Sequence, residues 1–304
     1  VKFNMKNITI IGIGLIGSSI ARDIREKNKD VIINIVDNSN TAIEKSKKLN
    51  LGTNYFEKIS TFIDKTEIIF ICTPISAYES LFEKFNKFQL SNETIITDVG
   101  SCKTEVIKNA QNILTKNIKF VPAHPIAGTE QSGPESGFKG LFNNKWLIIT
   151  PCKNSDDKSV KIISNLWKSF GCKIQIMDMN DHDSIMAITS HIPHIIAYNI
   201  VGTASELEDN LKEEVIKYSA SGFRDFTRIA SSDPTMWRDI ILSNKEPILK
   251  MLEKFEKDLN GLKNAIVNDD EEKLFNIFDK TRDIRKRIVE EGQDVKEPNF
   301  GRKN

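Results

Sequence analysis

All four histidines, His124, His182, His191 and His194, fall between residues 124 and 194. An imidazole titrates near neutrality, so it can take a hydroxyl proton while hydride leaves the same carbon. His124 is best placed for this: it follows a strand-like run, in Ala123-His-Pro-Ile-Ala-Gly-Thr-Glu130, and enters a loop rich in Gly, Ser and Glu. Ser101 ends the preceding run, in Asp98-Val-Gly-Ser-Cys-Lys103. Its hydroxyl is expected to orient the imidazole or touch a cofactor, or else to cap the helix from Lys103; the roles can coexist. At 100° per residue, Ser190 and His194 lie within about 20° of Asp183 on an unbroken helix. That shared face either lines a substrate cavity or is merely solvated, and Pro193 should kink the helix there. Arg224 and Arg228, one turn apart, can hold carboxylates bidentately or pair with acids such as Asp225. Asp233-Pro234 starts another helix with Trp237 in its first turn, a residue more suited to core than to site on composition alone.

Gly12, Gly14 and Gly17 form G-x-G-x-x-G between a strand-like run and a helical one. The first glycine permits a tight turn, the second lets backbone approach a pyrophosphate, and the third packs helix against strand. Leu15 and Ile16 belong to this turn, whose free N–H groups would carry the diphosphate. Asp37 closes the second strand-like run, 20 residues after Gly17. A carboxylate there accepts from ribose hydroxyls and repels a 2′-phosphate, so NAD is expected rather than NADP. Thr73 and Pro74, after the run Ile68 to Cys72, are assigned to the same cofactor site.

These residues need elements to hold them. Short Ile- and Val-rich runs at Ile8–Ile11, Val31–Val36, Ile68–Cys72, Thr94–Val99 and Lys119–Val121 alternate with amphipathic helical patterns. That alternation predicts an α/β fold: a Rossmann-type doubly wound, mostly parallel sheet, followed by an all-helical C-terminal domain. Trp146–Thr150 and Lys173–Met177 read as the last strands of that sheet. The boundary is placed at 179, giving a dinucleotide-binding domain over 1–179 and a helical substrate-binding and dimerisation domain over 180–304. Ile248, Leu252, Phe255, Leu259, Leu262 and Ile266 form a heptad-like stripe, which serves an internal bundle or a subunit interface. Gly292 to Asn304 reads as a loose polar tail.

The bulk numbers exclude other classes. The 304 residues are 39% hydrophobic and 28% charged, with 43 basic against 42 acidic side chains and a net charge of +1. Nucleic-acid or membrane-surface binding usually needs a basic excess that this chain lacks. Cys72, Cys102, Cys152 and Cys172 are too scattered for a zinc site or a disulfide framework. No apolar run approaches the roughly 20 residues of a membrane span, so a cytoplasmic protein is expected.

At Gly12-Ile-Gly-Leu-Ile-Gly-Ser18, Asp98 to Lys103, His124 to Glu130, Ser190-His-Ile-Pro-His194, Gly222 to Arg228 and Asp233-Pro-Thr-Met-Trp-Arg238, the chain resembles the prephenate dehydrogenase family, which includes arogenate and cyclohexadienyl dehydrogenases. The resemblance implies NAD-dependent oxidative decarboxylation of prephenate to 4-hydroxyphenylpyruvate in tyrosine biosynthesis. His124 would draw off the ring-hydroxyl proton, Ser101 would support it, and Arg228 would bind a substrate carboxylate. Thr129 and Glu130 would lie at the pocket mouth, with Asp183, Ser190, His194, Arg224 and Trp237 lining it. Glu130 would also suit the amino group of arogenate, unless it pairs with an arginine. The resemblance further implies a homodimer through the helical domain. No metal is expected from the scattered cysteines, and the chain is expected to have no room for the fused mutase or regulatory ACT domains some relatives carry. Competing readings are a β-hydroxyacid dehydrogenase and a non-catalytic NAD-sensing protein.

Overall fold

A computed structural model describes residues 5–206, 214 and 217–290; the tail from Gly292 to Asn304 lies outside these residues. Five Ile- and Val-rich strands, β1 (Asn7–Ile11), β2 (Ile32–Val36), β4 (Ile68–Ile71), β5 (Ile95–Asp98) and β6 (Lys119–Val121), run parallel, with β3 (Asn54–Phe56) on the edge. The order is β3-β2-β1-β4-β5-β6. Consecutive side chains point to opposite faces, so each strand feeds two apolar layers. Ile8, Ile10 and Phe70 pack towards Trp167 and Phe142 on one face; Ile69, Ile71 and Phe120 pack towards Phe82 and Phe85 on the other. The order reverses between β1 and β4, and ligands of such sheets sit beyond the strand carboxyl ends at that crevice.

Helices α1 (Leu15–Lys27), α2 (Asn40–Lys48), α3 (Tyr78–Phe85), α4 (Thr104–Ile113) and α5 (Asp157–Ser169) match the amphipathic patterns of the first half. Besides the short edge strand β3, which was not expected, two features differ from the sequence reading. The last two expected strands, β8 (Trp146–Ile149) and β9 (Lys173–Ile176), do not extend the main sheet. They form a second sheet with β7 (Ala123–Pro125), which runs antiparallel to β8. Pro122, between β6 and β7, has no N–H to give to a ladder, and the two strands belong to separate sheets.

The second difference lies in the helices. α6 (Met179–Met186) continues through a π-helical turn, Ala187–His191, into α7 (Ile192–Ser205). This 27-residue stretch reaches a mean hydropathy of 1.2 over an 18-residue window, enough by length and composition to cross a membrane, contrary to the sequence expectation. Its first half is nevertheless pinned by buried polar groups, His182, Asp183 and His191. Beyond it lie α8 (Ser221–Thr227), a 3₁₀ turn at Arg228–Ser231, α9 (Pro234–Ser243), α10 (Lys245–Val267) and α11 (Glu271–Glu290). Asp233 caps α9 by accepting from the Met236 N–H, with Pro234 in its first turn. The chain forms two compact units, Val1–Ile248 and Leu249–Asn304, so the change from sheet to helix near residue 179 falls within the first. Along the heptad-like stripe, Ile248 is buried, Leu252, Phe255 and Leu262 are half-buried, and Leu259 and Ile266 are exposed.

Candidate active site

β1 leads into the glycine turn and α1. Gly12 has φ of +92°, and a Cβ there would lie 2.6 Å from the Cys72 carbonyl carbon. A Cβ on Gly17 would lie 2.2 Å from the Gly12 oxygen, so α1 can seat on β1 only without one. Gly14 differs: a Cβ there would meet nothing within 4 Å, which leaves open space over the turn. No side chain caps α1 and no acid stands in its first turn, leaving its N-terminal N–H groups for an anion. Leu15 and Ile16 begin that helix, half-buried. Asp37 is fixed beside the turn: its Oδ2 accepts from the Ile13 N–H and its Oδ1 from the Ser39 N–H, both at 2.9 Å. Across the crevice, just past β4 and before Pro74, the Thr73 hydroxyl is buried without a partner. A buried hydroxyl is normally satisfied, so a ligand group there would complete it. These residues fit a dinucleotide.

The loop after β7 lies along α1. Phe138 N–H donates to Ser19 Oγ, Gly140 N–H to Asp23 Oδ1, and Arg22 to the Pro134 carbonyl. The loop thus connects the nucleotide turn to His124.

His124 lies in β7 with its ring almost wholly buried. Its Nδ1 is 2.9 Å from Nε2 of His182, and Nδ1 of His182 is 2.7 Å from Oδ1 of Asp183. Asp183 also accepts from the backbone N–H groups of Lys103 and Thr104, each at 2.8 Å, and so caps α4 from another helix. Burial pushes the Asp183 carboxyl up, but the bonds from His182, Thr104 and Lys103 outweigh it and hold it below its ordinary value. Burial lowers both imidazoles, His124 strongly, and Lys103 adds to the effect on each. Lys103 is itself fully buried, its Nζ 2.6 Å from Oδ2 of Asp98. Asp98 further accepts from Gly100 N–H, Ala123 N–H and the Tyr78 hydroxyl, tying the strand ends around His124 together.

The sequence reading missed His182, Lys103 and Asp98 as members of this cluster. A signal existed for two of them, since Asp98 and Lys103 bracket the motif containing Ser101. His182 gave none, because its partner lies 58 residues away. Ser101 does not cap α4; Asp183 does. Asp183 is 1% exposed with both oxygens engaged, so it does not line a cavity beside Ser190 and His194. The π turn between them breaks the 100° count on which the shared face rested. Pro193 sits in the first turn of α7, directly after the π turn, where proline is tolerated. His194 Nδ1 is 2.8 Å from the Ser190 carbonyl, and its ring stacks on Trp237 at 3.5 Å between centroids. Trp237 is buried, as its composition suggested, and its indole N–H has no partner. His191 is buried beside it, with Nδ1 3.0 Å from the Asn244 amide. The two arginines do not form a joint clamp. Arg228 pairs with Glu130 at 2.5 Å, while Arg224 is mostly exposed and lies 3.5 Å from Asp225. Thr129 is exposed at the head of the loop that carries Glu130.

Comparison with known proteins identifies the family. Residues 20–176 match the prephenate dehydrogenase nucleotide-binding domain and residues 178–280 the prephenate dehydrogenase dimerization domain. The chain is 37% identical to the cyclohexadienyl dehydrogenase of Zymomonas mobilis, across 92% of this chain and 95% of that one. It is 33% identical to the prephenate dehydrogenase of Bacillus subtilis, across 91% and 75%. The crystal structure of prephenate dehydrogenase from A. aeolicus in complex with hydroxyphenyl propionate and NAD+ superposes with a TM-score of 0.87 at 34% identity, covering 95% of this chain and all of that one. A 3-hydroxyisobutyrate dehydrogenase from Mycobacterium tuberculosis, at 10% identity and TM-score 0.52 over 81% and 88%, shares the fold alone. By its two domains and by sequence over nearly its whole length, the chain belongs to the prephenate dehydrogenase family of NAD-dependent oxidoreductases.

Proposed function

We propose that this chain oxidatively decarboxylates prephenate to 4-hydroxyphenylpyruvate, in tyrosine biosynthesis, with residues 1–179 holding NAD and 180–304 serving substrate and dimer contacts. The observation that carries the chemistry is His124, buried at the end of the nucleotide fold with one ring nitrogen engaged and a low proton affinity. Bound NAD supplies the acceptor for the hydride that leaves the hydroxyl-bearing ring carbon. His124 takes the hydroxyl proton as the C–O bond becomes a carbonyl; loss of carbon dioxide makes the ring aromatic, and the phenol oxygen takes the proton back from His124. Arg228, held by Glu130 through one terminal nitrogen, binds a substrate carboxylate with the rest of its guanidinium. Ser101 supports the hydroxyl end; Ser190, His194 and Trp237 shape the ring pocket, with Thr129 and Arg224 at its rim. Until the cofactor arrives, Asp37 keeps the Ile13 and Ser39 N–H groups as its partners.

The ion pair of Glu130 with Arg228 favours prephenate, since a neutralised carboxylate is a poor partner for the amino group of arogenate. A second reading, dual specificity, is supported by the 37% identity to a cyclohexadienyl dehydrogenase. NADH formation measured with prephenate and with arogenate in separate reactions distinguishes them. Turnover of prephenate alone is expected; comparable turnover of both selects the dual reading, and turnover of neither removes both. Free cysteines at all four positions fit a cytoplasmic enzyme. The exposed apolar side chains of α7 (Ile200, Val201) and α11 (Phe275, Phe278, Ile284) support a homodimer.

A further inference from the structure

We propose that His182, fixed by Asp183, sets the tautomer of His124 and so leaves its Nε2 lone pair as the base; this rests on the reading of His124 given above. The inference follows from counting donors along the buried chain. Both oxygens of Asp183 already accept backbone N–H bonds, so the 2.7 Å contact with His182 Nδ1 is filled by a ring N–H. A neutral imidazole carries one N–H, so Nε2 of His182 can then only accept. The 2.9 Å contact between His182 Nε2 and His124 Nδ1 therefore requires the His124 proton on Nδ1. His124 Nε2 is the remaining nitrogen, bare and without a partner among the described residues.

The opposite arrangement needs a doubly protonated His182 donating to His124. The surroundings oppose it: the groups facing the two rings are Lys103, Asp98, Asp183 and His191, and burial with the Lys103 charge disfavours a second positive centre. When the substrate O–H bond breaks, its proton forms the new N–H at Nε2 of His124. The Nδ1–H stays directed at His182, so the positive charge is shared towards Asp183 rather than stranded in an apolar wall. His182 is thus a positioning residue; it touches neither substrate nor cofactor in this account.

Long-range proton–nitrogen NMR of protein labelled with ¹⁵N-histidine tests this directly, because the chain has only four histidines to assign. At neutral pH, without ligands, His124 is expected to show a protonated Nδ1 and a bare Nε2. A protonated Nε2 on His124 in the native protein would overturn the inference. His182→Asn keeps a donor near Asp183 but removes the acceptor for His124; kcat should fall more than about 100-fold with both KM values within about threefold. His182→Gln, whose amide oxygen can stand where Nε2 stood, should recover kcat to within about tenfold of native. An unchanged kcat in His182→Asn would also overturn it. If the native protein turned over neither prephenate nor arogenate, the functional reading would fail while the ring-nitrogen spectrum still decided the tautomer.

Discussion

His124 works as a base only while its ring is neutral, and its surroundings keep it so. Burial, His182 and Lys103 all lower its proton affinity, so the base form persists below the ordinary imidazole value. The acid limb of kcat/KM should therefore have its midpoint below about pH 6.5; a midpoint at or above that value, measured in a pH–rate profile, would contradict the environment described. Arg228→Ala should raise KM for prephenate about 100-fold with a smaller effect on KM for NAD, because it removes a charge-assisted carboxylate contact. At this scale the sequence was partly legible. His124 stood out by following a strand, and Arg228 by its motif. His182 did not, because its pairing with His124 is long-range and leaves no local pattern. Asp183 was chosen for a face it does not present, since one π turn re-aims everything after it.

At the scale of elements, the glycine turn offers a paired test. Gly17→Ala forces a Cβ to 2.2 Å from the Gly12 oxygen and should cost about 3 kcal/mol or more of stability. Gly14→Ala meets open space, so the melting temperature should hardly move while NAD affinity drops at least about tenfold. Thermal unfolding and calorimetric titration of both variants check this; equal destabilisation by the two would contradict the turn geometry. The alternation of strand and helix was readable because buried parallel strands are continuous Ile and Val runs. Strand β3 was missed because Asn54-Tyr-Phe is too short and polar to stand out. The separate sheet of β7, β8 and β9 depends on pairing partners, which hydrophobic pattern alone does not specify.

For the whole molecule, the buried histidines couple stability to pH. His191 is lowered to about 4, chiefly by burial. The unfolded chain would bind this proton near pH 6.5 and the folded chain only near 4, so stability is full above 6.5 and falls as pH drops through that window. The effect of His191 is on the order of 3 kcal/mol, and His191→Asn should flatten this slope in denaturant titrations between pH 7 and 5. The apolar rows left exposed on α11 belong to the same scale: Phe275→Asp with Phe278→Asp should shift the sedimentation coefficient from dimer to monomer, and an unchanged coefficient would remove α11 from the interface. The central claim is that this chain oxidises prephenate with His124 as the base. NADH formation from prephenate and NAD, compared between native protein and His124→Asn with NAD binding measured on both, tests it most directly. The account predicts turnover by the native protein and a loss of about 1,000-fold or more in the variant, with NAD affinity retained; a variant that keeps most of its activity would contradict it.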